Sequence, residues 1–548
     1  MSVSVSGELA SPRQSDAPGV RRSRTDGARG RRAGDLLVIV APAILAALLC
    51  CYQLTERSLG FDEAASVAIA SQHGAALRTA ITHDGGNMSG YYLLLHVLIG
   101  LFGNSQFVLR FPSAVAAAAV VSLVGVLAIR LFDRRVAVAS GLLAAASLPL
   151  VFWGQSARGY ALMVACVCAS FLAFVVLVDR EAEARSMRVP WIAYVVFTTL
   201  AIYASFVAVL VVPAQLLSLA VRRRALRPVA AGLLACAVCC TLLAVLAARR
   251  GSGQLFWVPR PSLTGALQVA ESVTSSGLKP SFRRTTTSIP LLIATLAVLL
   301  AIVVVIAREL DAPADRRTAW ARALPVCWLL LPLVLAVAES SLGQSIFLPR
   351  NLLLVLPAAA LLLAVGMFDR RVPSLLSWSA LAALLALRAL QLAPSYGVSP
   401  EDWRGATAFV IAHAQPRDCI AFYPSDGRMA FAYYLPTVPR PAAAPQPILP
   451  VSPWREDKAF VEDYASLSAS QLARLPSVCG RLWLVSSHEG QRTGPPGSRA
   501  NLARYVRLRA ALAGEYPDRS ERSFGYASPV HVELFATRPT GAASSRRT

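Results

Sequence analysis

Lysine is almost missing from this chain. Of 548 residues only Lys279 and Lys458 are lysines, and charged residues of all kinds make up 15%. A soluble domain of ordinary size does not need a sequence that is 55% hydrophobic. Acidic residues are also scarce, 31 against 53 basic ones, and none sits in the middle of an apolar run. No internal repeat is visible either. Ion-coupled transporters bury acids in mid-span and are built from repeated halves, so both absences argue against that class. The polar C-terminal region contains no Gly-rich phosphate loop, nucleophile elbow or metal motif. Eight of the ten cysteines fall inside apolar runs, where they behave as small hydrophobes, and no histidine lies near Cys239 and Cys240 to complete a ligand set. Cys419 and Cys479 differ: both lie in the polar C-terminal region and are candidates for a disulfide if that region is outside the cytosol.

What the chain does have is apolar runs close to the roughly 20 residues that cross a bilayer as helix. They fall near 36–54, 109–131, 136–154, 159–178, 190–205, 206–221, 228–248, 289–307, 321–338, 350–367 and 374–393. The net charge of +22 is arginine at the ends of these runs and in the N-terminal tail. That distribution reads as topology signal and lipid-headgroup contact, not as a nucleic-acid surface. Residues 1–34, rich in Ser, Arg, Gly and Asp, read as a disordered cytoplasmic tail too long for a secretory signal. With that tail inside, the basic loops 133–135, 179–188, 222–227, 307–317 and 369–371 all fall on the same side. The count is eleven transmembrane helices, with a transmembrane region over 35–394, external loops at about 55–108 and 249–288, and residues 395–548 outside. The run 91–103 is too short to span, reaching about 20 Å as helix, and reads as interfacial or re-entrant. Beyond the last span, helical signals at 401–414, 427–435 and 499–513 alternate with strand signals at 419–424 and 481–487, which predicts a small extracytoplasmic α/β domain.

Polar residues with chemistry to offer concentrate in the external segments. "RSLGFDEAASVAI" (57–69) places Asp62 and Glu63 beyond the first span, where Asp62 suits either a helix cap or a general base. Adjacent helical residues point about 100° apart, so the two acids are not a shared-proton dyad. "THDGGNMSGYY" carries His83, Asp84, Asn87 and Tyr91; His96, inside an apolar run, reads as a packing residue. Arg158 and Arg350 sit at outer span ends, where snorkelling to water and anion contact are both open. Arg110 reads as an anchor of a helix start, and Trp257 as either an interface anchor or a stacking face for a sugar.

Four segments in this order, "FDEAASVAIASQ", "HDGGNMSGYYLLLHVLIGLFGNSQFVLRFPS", "GQSARGYAL" and "FLPRNLLLVLPAAALLLA", resemble the GT-C glycosyltransferases of the family 39 type, the group of protein O-mannosyltransferases and aminoarabinose transferases. The resemblance covers roughly 36–410. It implies a membrane glycosyltransferase that moves a sugar of mannose or pentose type from a polyprenyl-phosphate donor to an acceptor hydroxyl on a protein, lipid or glycan, at the extracytoplasmic face of a bacterial plasma membrane and with inversion. Mapped onto this chain, it implies Asp62 as catalytic base with Glu63 beside it. It also implies donor or substrate contacts from Arg57, His83, Asp84, Asn87, Tyr91, Arg158, Tyr160, Trp257 and Arg350. A divalent metal held by Asp62 and Asp84 is open; no other cofactor and no nucleic-acid partner is expected. Ser89 and Gly90 stand where relatives carry proline, and Asn351 where they carry tyrosine. Those departures keep a flippase or a non-catalytic binder of lipid-linked sugars as the alternative.

Overall fold

A computed structural model describes residues 18–222, 225–251, 255, 257–276, 288–311, 315–439, 444–449 and 468–537. Parts of the basic loops 222–227 and 307–317 and of the external loop 249–288 lie outside the described residues, as do residues 1–17 of the N-terminal tail. Helix α1 (Pro18–Cys51) begins inside the stretch read as a tail, so residues 18–34 continue the first apolar helix backward. Three short helices follow, α2 (Phe61–Ala70), α3 (Gly74–His83) and α4 (Ser89–Phe102). The bundle continues with α5 (Gln106–Leu131), α6 (Arg134–Ala145), α7 (Leu148–Gly154), α8 (Tyr160–Ala182), α9 (Arg188–Ala204), α10 (Val211–Arg222), α11 (Leu226–Cys239) and α12 (Thr241–Arg250). Then come α13 (Leu263–Thr274), α14 (Ser288–Asp311), α15 (Arg316–Leu342), α16 (Leu356–Met367) and α17 (Ser374–Leu392).

Among the described residues six helices are long and apolar enough to cross a membrane, or eight if the bent pairs α6–α7 and α11–α12 each count as one. Four shorter apolar helices, α4 among them, accompany them. Their polarity is inverted relative to a soluble bundle. Leu36, Leu37 and Leu48 of α1, Leu234 and Val238 of α11, and Ile293 and Leu300 of α14 face outward. Such an apolar surface suits hydrocarbon rather than water. At the centre lies α8, buried along most of its length and packed between α5 and α9. The Phe171 ring stacks on Trp328 at 3.7 Å there.

Two of the acids in the short basic loops are helix caps, whereas Asp179 pairs with Arg317 and Arg222. Asp133 accepts the Arg135 and Val136 N–H groups at the start of α6, and Asp315 accepts those of Arg317 and Thr318 at the start of α15. The arginines beside them therefore keep their charge for other partners.

After α17 the chain forms α18 (Trp403–His413), β1 (Cys419–Tyr423), α19 (Gly427–Tyr434), β2 (Gln446–Leu449), α20 (Ala469–Val478), β3 (Arg481–Ser486), α21 (Pro496–Glu515), β4 (Asp518–Phe524) and β5 (Val530–Ala536). The strands make one sheet in the order β2-β1-β3-β5-β4, parallel across the first three and antiparallel across the last two pairings. Alternation along the strands divides its two faces. Ile420, Phe422, Trp483 and Val485 join the cluster shared with α18, α19 and the helical bundle, whereas Cys419, Ala421, Leu482 and Leu484 pack under α20 and α21. Cys419 and Cys479 are disulfide-bonded, tying β1 to the end of α20. The sheet's bundle-facing side thus presses its neighbouring loops onto α2.

Candidate functional site

Helix α2 starts at Gly60, which has no side chain to cap it. Two carboxylates do that work, one from the helix's own first turn and one from far along the chain. Glu63 reaches back to the Gly60 N–H at 3.0 Å, and Glu401 accepts the Phe61 N–H at 2.7 Å. Asp62, one position into the helix from Phe61, does not cap it. Of the two readings the sequence left open, the helix cap falls to Gly60, and the Asp62 carboxylate is left to face other groups.

What it faces is arginine. Arg350 donates to Asp62 Oδ2 at 2.5 Å, and Arg158 donates to the Asp62 carbonyl at 3.1 Å and to Ser66 Oγ at 3.0 Å. The Asp62 side chain is 41% exposed, so it lies at a mouth and not in a sealed core. Enclosure alone would raise its proton affinity, but the charges of Arg350, Arg158 and His488 outweigh this and hold it far below the usual carboxylate range. Arg158 is enclosed too, and although burial opposes its charge, Asp62, Tyr92, Tyr160 and Asp84 keep it firmly protonated. Its buried Nε has no hydrogen-bond partner among the described residues. Both guanidinium groups lie 5.9 Å from the centre of the Tyr160 ring, and Arg350 lies 5.1 Å from that of Trp257. Two arginines converging on one carboxylate, walled by aromatics, offer charged donors suited to an anionic group attached to an apolar or sugar-like body.

Glu63 has a different task. Its carboxylate takes the Arg110 Nε and Nη2 groups, each at 2.9 Å, and the Ala157 N–H at 2.7 Å. Arg110 is fully buried and its other donors go to the carbonyls of Leu54, Arg57 and Ser58, so all five of its N–H groups are used. Burial raises the Glu63 carboxyl, but Arg110, Arg57 and the Ala157 N–H together hold it below its ordinary value. The pair is a brace under α2, and Arg110 is the anchor expected of it.

The other residues singled out in the sequence divide. Tyr160 and Trp257 belong to the Asp62 site. Asp84 accepts the Tyr92 hydroxyl at 2.9 Å, within electrostatic reach of Arg158. Asn87 accepts the Phe206 N–H at 3.3 Å and so ties the 83–88 turn to the start of the helix over 206–222. His83 closes α3 beside Arg78 and Thr82. Arg57 is 6% exposed. Its Nη2 is spent on the Gln155 carbonyl and Ser156 Oγ and it stacks 4.1 Å from the Phe152 ring, so it joins two loops instead of reaching a substrate. Tyr91 is wholly buried, its hydroxyl on Ser113 and the Leu109 carbonyl, which removes it from any ligand. Among the described residues no three His, Cys, Asp or Glu side chains converge as a metal site. His96 packs as expected, on the Ala70 carbonyl.

Two residues at the site went unnoticed in the sequence. Glu401 caps α2 and also takes the Trp403 indole N–H, and His488, on the loop after β3, lies 3.3 Å from it while its ring packs on Phe61 at 5.1 Å. Arg404 and Tyr434 hold the loop between α1 and α2, Arg404 donating to the Thr55 and Glu56 carbonyls and Tyr434 accepting the Leu59 N–H. The site is therefore assembled from the first loop, two span ends and the C-terminal sheet.

Residues 89–248 match the family model described as dolichyl-phosphate-mannose-protein mannosyltransferase. The fold is similar to that of ArnT from Cupriavidus metallidurans in the apo state, with a TM-score of 0.56 at 13% identity over 92% of this chain and 98% of that one. The same protein bound to undecaprenyl phosphate gives 0.53 at 14% identity over 91% and 97%. The Archaeoglobus fulgidus oligosaccharyltransferase in complex with Zn and sulfate gives 0.51 at 13% identity over 82% and 68%. No curated protein matches the chain by sequence. The resemblance read in the sequence motifs thus holds at the level of the fold.

Proposed function

We propose that this protein transfers a sugar from a polyprenyl-phosphate donor to an acceptor hydroxyl, in one inverting displacement at the extracytoplasmic face of the plasma membrane. The observation that carries the reading is the convergence of Arg158 and Arg350 on Asp62 beside Tyr160 and Trp257. The undecaprenyl phosphate bound by the ArnT neighbour supports the donor class.

In the ligand-free arrangement Asp62 is a poor base because Arg350 neutralises it. A donor phosphate competes for Arg350 and for the unpartnered Nε of Arg158, and as Arg350 turns to the phosphate the proton affinity of Asp62 rises. The acceptor oxygen then bonds to the anomeric carbon while its proton passes to Asp62. The bond from that carbon to the phosphate oxygen breaks, with its electron pair leaving on the phosphate. The two arginines stabilise that growing charge in place, which is where fixed donors accelerate most. A positioned carboxylate base contributes roughly 10²–10⁴-fold.

The topology proposed with this places the N-terminus in the cytoplasm and eleven spans across the membrane. Six long helices and two bent pairs support eight of these spans, and the shorter apolar helices over 188–204, 206–222 and 351–367 are read as the other three. Helix α4 then lies along the surface. The Cys419–Cys479 disulfide supports a C-terminal domain outside the reducing cytosol. The test is transfer from a panel of radiolabelled polyprenyl-phosphate sugars to endogenous acceptors in membranes expressing the protein. Transfer from one donor above empty membranes is expected, and no transfer from any of them contradicts the reading.

A further inference from the structure

We infer that Glu401 and His488 form a proton-sharing positioning pair that sets the basicity of Asp62, so that the C-terminal sheet governs the pH dependence of transfer. The inference rests on the reading of Asp62 as the base. Glu401 Oε2 caps α2 through the Phe61 N–H, and its Oε1 lies 3.3 Å from His488 Nε2. The His488 ring packs on Phe61, the residue before Asp62, and its other nitrogen lies 2.9 Å from Ser487 Oγ. The Glu401 side chain is 15% exposed and that of His488 42%, so the carboxyl is enclosed while the imidazole opens to solvent and can exchange protons. Burial, with Asp62 nearby, pushes the Glu401 carboxyl up against the pull of His488, which favours a proton held between the two.

The titratable groups facing the imidazole are Glu401 from the segment before α18 and Asp62 from α2; Glu489 follows it in the chain but bonds Ser486 Oγ. Arg350 and Arg158 bear on Asp62 directly. The sign follows. A protonated His488 draws Asp62 down and weakens it as a base; once the pair loses its proton, Asp62 regains proton affinity. Turnover therefore rises with pH through the titration of the pair. His488 takes a left-handed backbone, at φ 57°, with its ring against Phe61 of α2.

Glu401→Gln separates the two roles of Glu401. A glutamine carbonyl still accepts the Phe61 N–H, so a purely structural cap survives, but the amide cannot share a proton with His488. Expected for Glu401→Gln and His488→Gln is undecaprenyl-phosphate binding within about twofold of wild type. The acidic limb of the kcat/KM profile should move to lower pH in the first and vanish in the second. Profiles superposing on wild type overturn the inference. A second readout stands without turnover: the His488 imidazole, assigned by its loss in His488→Gln, followed by NMR in the full-length protein in detergent. Removing a neighbouring carboxylate charge lowers its midpoint by about half a pH unit or more in Glu401→Gln and in Asp62→Asn. An unchanged midpoint in both overturns the pair even if no donor is found, whereas a shifted midpoint without transfer faults the reading of function alone.

Discussion

The Glu63–Arg110 brace sets a stability test that is independent of any substrate. Arg110→Met removes two charge-assisted bonds to Glu63 and the three to the Leu54, Arg57 and Ser58 carbonyls, and leaves a carboxylate stranded in a buried position. Breaking one partner of a buried pair costs roughly 3–5 kcal/mol, most of it the penalty for the charge left behind. Glu63→Gln added to Arg110→Met removes that charge while its amide oxygen keeps an acceptor for one of the two N–H groups, that of Gly60 or that of Ala157. The double variant should therefore recover about 1–3 kcal/mol of the loss, an interaction energy of the size seen between contacting residues. The assay is a double-mutant cycle on the unfolding midpoint in detergent, followed by tryptophan fluorescence. If the two single losses simply add in the double variant, the brace is not an interacting pair and its role under α2 is wrong.

Arg158→Met and Arg350→Met should each weaken undecaprenyl-phosphate binding by about 10- to 100-fold, since a hydrogen bond to a charged group is worth about 1.5–3 kcal/mol; binding unchanged in both places the phosphate elsewhere. Asp62 and Glu63 are held below their ordinary range, so what they add to stability is complete above the unfolded carboxylate value near pH 4 and is lost as pH falls through and below it. An unfolding midpoint that is flat from pH 7 to 5 and drops below 4 is expected, and a midpoint that rises on acidification contradicts the ion pairing. Reducing Cys419–Cys479, which closes a loop of 60 residues, should lower stability by about 2–4 kcal/mol, and equal midpoints with and without reductant would show the bond to be idle.

The membrane character and the motif-bearing segments were legible in the sequence because apolar run length and arginine placement are local signals. Asp62, Arg158, Trp257 and Arg350 stood out at span ends or in loops, but position alone left their roles open, and it was the resemblance in the motifs that put them, with Tyr160, at one site. Local signals failed where partners are distant. Nothing in "RSLGFDEAAS" tells that Gly60, and not Asp62, begins the helix, because the cap on Phe61 comes from Glu401, 340 residues away. Arg57 and Tyr91 look like site residues beside the acids, yet their polar groups are consumed by the 152–156 turn and by α5. His488 carries no sequence signature at all; only the packing of the loop after β3 against Phe61 brings it to the site. In the C-terminal part the apolar strands "CIAFY" and "RLWLVS" were readable, whereas β4, with Asp518–Phe524 mostly exposed and charged, gave no alternation to detect.

The central claim is that the Asp62 carboxylate takes the acceptor proton. It is tested most directly by sugar transfer in membranes holding wild type or Asp62→Asn at matched levels, with undecaprenyl-phosphate binding measured in parallel. A loss of transfer of about 10²-fold or more with binding retained is the expected result. Equal transfer by the two proteins would contradict the claim.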